Sequence, residues 1–169
     1  MKANPKQDAQ LSVQLMSDPR LLAGVRAMIS HAAGRFGFSE LECNQIGLAI
    51  DEALCNVINH GYERRMDGPI WLSAMFTETQ NQTPPSAVFL IEDLAKQVDP
   101  ITIRSRDLAE VRPGGLGVYI INEVMDDVSY AMRSEGGMSL TMCKQGMGNQ
   151  AQKVSPSMEN QKESQHQHE

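Results

Sequence analysis

The run Leu48-Ala49-Ile50-Asp51-Glu52-Ala53-Leu54-Cys55-Asn56-Val57-Ile58-Asn59-His60-Gly61-Tyr62 holds the most informative pattern in the chain. Ile46, Ile50, Ala53 and Val57 recur at helical spacing, so this segment predicts a helix with one face turned to a core. Just upstream, Ser39-Glu40-Leu41-Glu42 is a capping-box pattern that sets the helix start. Gly61 stands where a left-handed C-terminal residue would end it. Glu52 and Asn56 are four residues apart and share a face, with roughly 6 Å between their Cβ atoms. Asn59 falls on the same polar side. A carboxylate and an amide side by side on a rigid helix suit hard-cation and hydroxyl chemistry. The amide oxygen can ligate Mg²⁺, and the carboxylate can take a proton from a hydroxyl. The same spacing also describes a solvated polar face with no chemistry at all.

Working outward, residues 11–16 alternate apolar and polar, as a half-buried strand does. Asp18-Pro19 reads as a helix start, followed by Leu22, Val25, Met28 or Ile29, Ala32 and Phe36 at helical spacing, with Gly37 as the stop. Residues 70–77 and 87–92 predict strands across a polar, proline-containing connection. A loop-rich stretch follows, then a helix over 118–125, and a hairpin of 128–132 with 138–143 around Glu135-Gly136-Gly137. Strands gathered with helices on one face make a two-layer α/β sandwich, and the sheet is expected to be mixed. Strands and helices do not alternate, which excludes a doubly wound nucleotide fold. Residues 1–8 are expected to be a flexible lead and 9–144 the domain. Residues 145–169 are expected to be a disordered polar tail, because their composition supports no core.

Composition narrows the function. The chain has 169 residues and a formal net charge of −6. No cluster of Lys and Arg marks a phosphate-backbone footprint, so nucleic acid is not an expected partner. The polar lead is not a secretory signal and no apolar run is long enough to cross a membrane, so a cytoplasmic protein is expected. Cys43, Cys55 and Cys143 fit no zinc spacing and, being odd in number, no disulfide framework. They read as idle thiols of a reducing compartment.

Two further motifs carry chemistry. Pro113-Gly114-Gly115-Leu116-Gly117 opens a helix, and such turns let backbone N–H groups approach phosphates. It is not a Walker motif, since Gly-Lys-Ser/Thr is absent. Val88-Phe89-Leu90-Ile91-Glu92-Asp93 is a strand that presents a carboxylate at its tip, able to accept a hydrogen bond from an exocyclic amino group such as adenine's. Each alone also reads as a simple turn.

In this order and spacing the three motifs resemble the GHKL (histidine-kinase-like) ATPase superfamily. Glu52 and Asn56 match its N-box, Asp93 its first glycine box, and Gly115-x-Gly117 its second. Within that group, Glu52-Ala53-x-x-Asn56 followed by Asn59-His60-Gly61-Tyr62 is similar to the small anti-sigma-factor serine kinases. So are Arg106-Asp107-Leu108 and Met125-Asp126. The resemblance covers about residues 9–144. It implies the Bergerat ATP-binding fold, with ATP and Mg²⁺ as cofactors. Asn56 would ligate Mg²⁺, Glu52 would act as base toward a serine or threonine hydroxyl, Asp93 would hold the adenine amino group, and Gly115 and Gly117 would lie against the phosphates. Residues 101–113 would form a lid. The implied substrate is a STAS-type anti-anti-sigma protein, with a sigma factor as a second partner and a homodimer as the assembly. One position departs from the family: Ala95 stands where a glycine lies close to the base, and its methyl is expected to strain a backbone that wants positive φ. An alternative function follows from that departure: a catalytically weakened module that regulates a partner by binding alone. A detached histidine-kinase catalytic domain is a third option. It lacks an upstream phosphoacceptor helix; the one upstream histidine, His31, sits in a helix with a strong apolar face.

Overall fold

The computed structural model describes residues 6–78, 83–103 and 116–147. The chain runs through β1 (Leu11–Met16), a 3₁₀ turn (Pro19–Leu21), α1 (Leu22–Arg35), α2 (Glu40–Asn56) and a π turn (Val57–Gly61). It continues through β2 (Pro69–Thr77), β3 (Ser86–Asp93) and a second 3₁₀ turn (Pro100–Thr102), then α3 (Leu116–Val124), β4 (Asp127–Met132) and β5 (Met138–Gln145).

Local chemistry explains the helix ends. Asp18 caps the first turn by accepting from Arg20 N–H, with Pro19 directly after it. Ser39 Oγ accepts from Glu42 N–H while Glu42 Oε2 accepts from Ser39 N–H at 2.8 Å, which completes the capping box read from the sequence. Gly37 adopts φ 104 just past α1, a conformation that glycine takes without a Cβ penalty.

Among the described residues five strands lie in the order β1-β2-β3-β5-β4, and every neighbouring pair is antiparallel. The sequence suggested a mixed sheet; every ladder is antiparallel instead. Two helices between β1 and β2 return the chain antiparallel beside its starting strand. The β3-α3-β4 crossover does join two parallel strands, but β5 pairs between them and hides that relation from the ladder. The two-layer sandwich stands. Ile70, Leu72, Ala74 and Phe76 of β2, Ala87, Phe89 and Ile91 of β3, and Leu140 and Met142 of β5 form one buried face. Against it pack Leu22, Val25, Ile29 and Ala33 of α1, Ile46, Ile50, Ala53 and Leu54 of α2, and Ile121 and Val124 of α3. Phe36 stacks on Phe76 at 4.7 Å, and Phe76 meets Phe89 edge-on at 5.8 Å. Each fully buried side chain of this size contributes about 1.5–3 kcal/mol.

Two boundaries differ from the sequence reading. Residues 145–147 belong to the domain: Gln145 completes β5, Gly146 N–H donates to Pro85 O at 2.7 Å, and Met147 N–H donates to Glu42 Oε1 at 2.7 Å. Lys6, placed in the flexible lead, sits 3.1 Å from Glu92 Oε2. The rest of the expected tail, 148–169, lies outside the described residues, as does the expected lid beyond Ile103. Among the described residues no helix is long and apolar enough to cross a membrane.

Candidate functional site

The capping box fixes where α2 begins, and burial of Ile46, Ile50, Ala53 and Leu54 fixes its rotation. That rotation leaves Glu52 and Asn56 half-buried on the flank of α2. The flank faces the start of α3. A Cβ built on Gly117 would lie 2.6 Å from Glu52 Oε2 and 3.4 Å from both polar atoms of the Asn56 side chain. A side chain there would push the Glu52 carboxylate aside, so the first turn of α3 closes directly over the Glu52–Asn56 pair. Asn56 Nδ2 is buried and has no hydrogen-bond partner among the described residues. An unpaired buried donor costs about 1–3 kcal/mol unless water or a ligand satisfies it, and Tyr130 Oη is a second such atom among the described residues. Gly115 lies outside the described residues.

Asp93 ends β3 on the buried face, 4% exposed. Its Oδ1 accepts from Ala95 N–H at 2.8 Å and from Met138 N–H at 3.1 Å. Burial pushes its pKa up; these two bonds and the nearby Arg133 charge offset that only in part. Ala95 is buried too, and among the described residues positive φ outside glycine occurs only at Glu63 and Arg64. The strain expected at Ala95 is therefore absent. Its methyl instead packs against the end of the helical segment, where a Cβ on Gly61 would come within 2.8 Å of it.

That contact also corrects the reading of Gly61. It does not cap the helix in the left-handed region; the helix continues as a π turn through it, with Tyr62 N–H donating to Val57 O at 2.9 Å. The absent side chain is needed for the close approach of Ala95. Tyr62, which the sequence reading gave no role, is 2% exposed and joins three elements. Its hydroxyl donates to Pro69 O at 2.6 Å and accepts from Leu94 N–H at 2.9 Å. An aromatic residue directly after Gly61 was the available signal. Asn59 and His60, on the π turn, are exposed. His31 is exposed on α1. Among the described residues no group of three or more His, Cys, Asp or Glu could hold a metal ion.

The chain belongs to the family of histidine kinase-like ATPase domains, which it matches over residues 15–144. It is similar to the serine-protein kinase RsbW of Listeria monocytogenes, 28% identical over 138 residues that span 80% of this chain and 86% of that one. The serine-protein kinase RsbW of Halalkalibacterium halodurans is 27% identical over 147 residues, 85% of this chain and 86% of the relative. The fold is shared with a crystal structure of the RsbU and RsbW domains of a Mycobacterium tuberculosis protein, at a TM-score of 0.54 and 18% identity. That match covers 79% of this chain and 31% of the longer one.

Proposed function

We propose that the protein is an ATP-dependent serine/threonine protein kinase that acts as an anti-sigma factor and phosphorylates a STAS-type anti-anti-sigma partner. One observation carries the reading: Glu52, Asn56 and Gly117, from two helices, meet within a few ångströms, and Asn56 Nδ2 there is buried with no partner among the described residues. Similarity to the serine-protein kinases RsbW over most of both chains supports the kinase activity. Glu52 is the base toward the incoming hydroxyl. Asn56 holds Mg²⁺, which when bound neutralises phosphate charge. Gly117, with Gly115, leaves room for the phosphates, and Asp93 accepts from the adenine amino group. A sigma factor as second partner, a cytoplasmic location and a homodimer belong to the same proposal. For the homodimer, the support is the sheet face away from the helices, where Trp71, Met75, Val88 and Leu90 stand half-buried with no helix of the described residues over them.

The alternative, a weakened module acting by binding alone, drew its motive from strain at Ala95. With that backbone relaxed, no observation favours it. Calorimetry with ATP and Mg²⁺, and transfer of labelled phosphate to a STAS-domain protein, test the proposal. Glu52→Ala should lose about 100- to 10,000-fold in transfer and keep its ATP affinity. No binding at millimolar ATP, or unchanged transfer in that variant, would sink it.

A further inference from the structure

Everything that holds Asp93 in place on its far side comes from the β4–β5 hairpin. Arg133, just past β4, sends its guanidinium across the sheet edge, with the side chain only 11% exposed. Nη1 donates to the Asp93 carbonyl oxygen at 2.5 Å, Nε lies 3.1 Å from Glu92 Oε1, and the cation stands 5.7 Å from the Trp71 ring centroid. Gly137, at φ 79, rests against the same carbonyl, where a Cβ would collide with it and with Leu94 Cα. Met138 N–H then reaches the Asp93 carboxylate. From the other side, Gln97 Nε2 donates to Arg133 O at 2.7 Å and to Gly137 O at 3.1 Å, tying the loop after Asp93 back to the hairpin.

The geometry points to Arg133, with Gln97 as its tie, as a positioning residue for nucleotide-base selection. The inference rests on the reading of Asp93 as the adenine acceptor. Arg133 touches neither phosphate-side group, Glu52 nor Asn56. It clamps the peptide that carries the Asp93 side chain, and so sets where the carboxylate points. Two of the residues that follow Asp93 here, Ala95 and Gln97, both take part in this hold: Ala95 N–H on the carboxylate, Gln97 on the hairpin. A loop without the family's glycine is fixed by hydrogen bonds from outside it.

The separation predicts a split that general destabilisation would not produce. In the full chain, Arg133→Met should weaken ATP binding about 3- to 10-fold, the factor that corresponds to the net worth of one ordinary hydrogen bond, since Arg133 acts on the acceptor and not on the base itself. GTP binding should change less than about twofold, so that the ATP-to-GTP ratio falls by nearly the same factor; KM for ATP rises while kcat at saturation holds. Arg133→Lys keeps the charge but cannot serve Glu92 and the Asp93 carbonyl together, so it should recover only part of the ratio. Gln97→Ala, at an exposed side chain, should lower the ratio about two- to threefold and serves if the methionine variant does not fold. Asp93→Asn runs beside them. If it leaves the ratio unchanged, the adenine reading fails and the inference falls with it. If it lowers the ratio while Arg133→Met or Gln97→Ala weakens ATP and GTP equally, the inference alone is overturned.

Discussion

Gly61 and Ala95 offer a direct test of how the nucleotide end of this domain is packed. In Gly61→Ala the new Cβ would sit 2.8 Å from the Ala95 Cβ, where two carbons prefer about 3.5–4.0 Å. The overlap is therefore about 1 Å, and neither methyl can rotate away. Overpacking of this kind costs about 1–3 kcal/mol. Gly61 is outside the left-handed region, so alanine otherwise returns about 0.5–1 kcal/mol as a better helix former, and the net loss should be about 1–2 kcal/mol. Ala95→Gly removes a buried methyl, about 0.8 kcal/mol, and adds unfolded-state freedom, about 0.4–1 kcal/mol; it too should lose about 1–2 kcal/mol. Combined, the methyl of one site occupies the space vacated by the other, so the double variant should be more stable than the sum by about 1–3 kcal/mol. Urea unfolding of the four proteins at constant m-value measures this. Additive losses within about 0.5 kcal/mol would refute the contact. A several-fold gain in ATP affinity for Ala95→Gly would refute the absence of strain.

Two further substitutions probe the frame around the site. Burial works against the Glu42 carboxylate, but hydrogen bonds from Ser39 Oγ, Ser39 N–H and Met147 N–H outweigh it and hold its pKa below the ordinary range. A folded-state pKa below the unfolded value gives stability that is complete above the unfolded pKa, about 4.3, and vanishes as pH falls through the folded value. Glu42→Gln should thus cost about 1–2 kcal/mol at neutral pH, and the difference should shrink below about pH 4; equal differences at pH 7 and pH 3 would contradict it. Tyr62→Phe leaves the Leu94 N–H and the Pro69 carbonyl without their shared partner. A loss of about 1–3 kcal/mol is expected by denaturant unfolding, and a change within 0.5 kcal/mol, roughly the scatter of surface substitutions, would remove Tyr62 from the frame.

What the sequence made legible was local. The capping box of Ser39 and Glu42, the Asp18-Pro19 start, the alternation of β1 and the Gly136-Gly137 hairpin all lie within a few residues, and all five strands and three helices fall close to where these signals put them. Glu52, Asn56 and Asp93 stood out only as an ordered set resembling a known family, since each alone also reads as a polar helix face or a turn. The misreadings share one cause. Gly61 looked like a cap because glycine usually is one, yet its neighbour is Ala95, 34 positions away in the chain. The Tyr62 bond to Leu94 N–H spans 32 residues, and the Arg133 bond to the Asp93 carbonyl spans 40. Periodicity reads windows of about 11–18 residues and cannot see such contacts. Strand direction failed for the same reason: β5 enters between β3 and β4 only after the chain has passed both.

Whether Glu52 and Asn56 are chemistry or merely a polar helix face turns on Gly117. On a solvated face, both side chains would point into water and nothing would require glycine opposite them. Here they meet the first turn of α3, whose unpaired N–H groups carry partial positive charge and favour a nearby carboxylate by about 0.3–1 kcal/mol. Gly117→Ala separates the two readings. The atom it would crowd, Glu52 Oε2 at 2.6 Å, is the far end of a flexible side chain, and Gly117 is not left-handed. The variant should therefore fold as well as the original or better, by up to about 1 kcal/mol from helix propensity. That is the opposite of Gly61→Ala, where the crowded atom is a rigid Cβ. Function should respond the other way. The methyl turns Glu52 aside by most of an ångström and narrows the space before Asn56, and misplacement on that scale costs on the order of 100-fold in rate. Phosphate transfer and unfolding measured on the same preparation decide it. Transfer within twofold of the original, in a variant with unchanged stability, would mean that the start of α3 closes over an idle polar face.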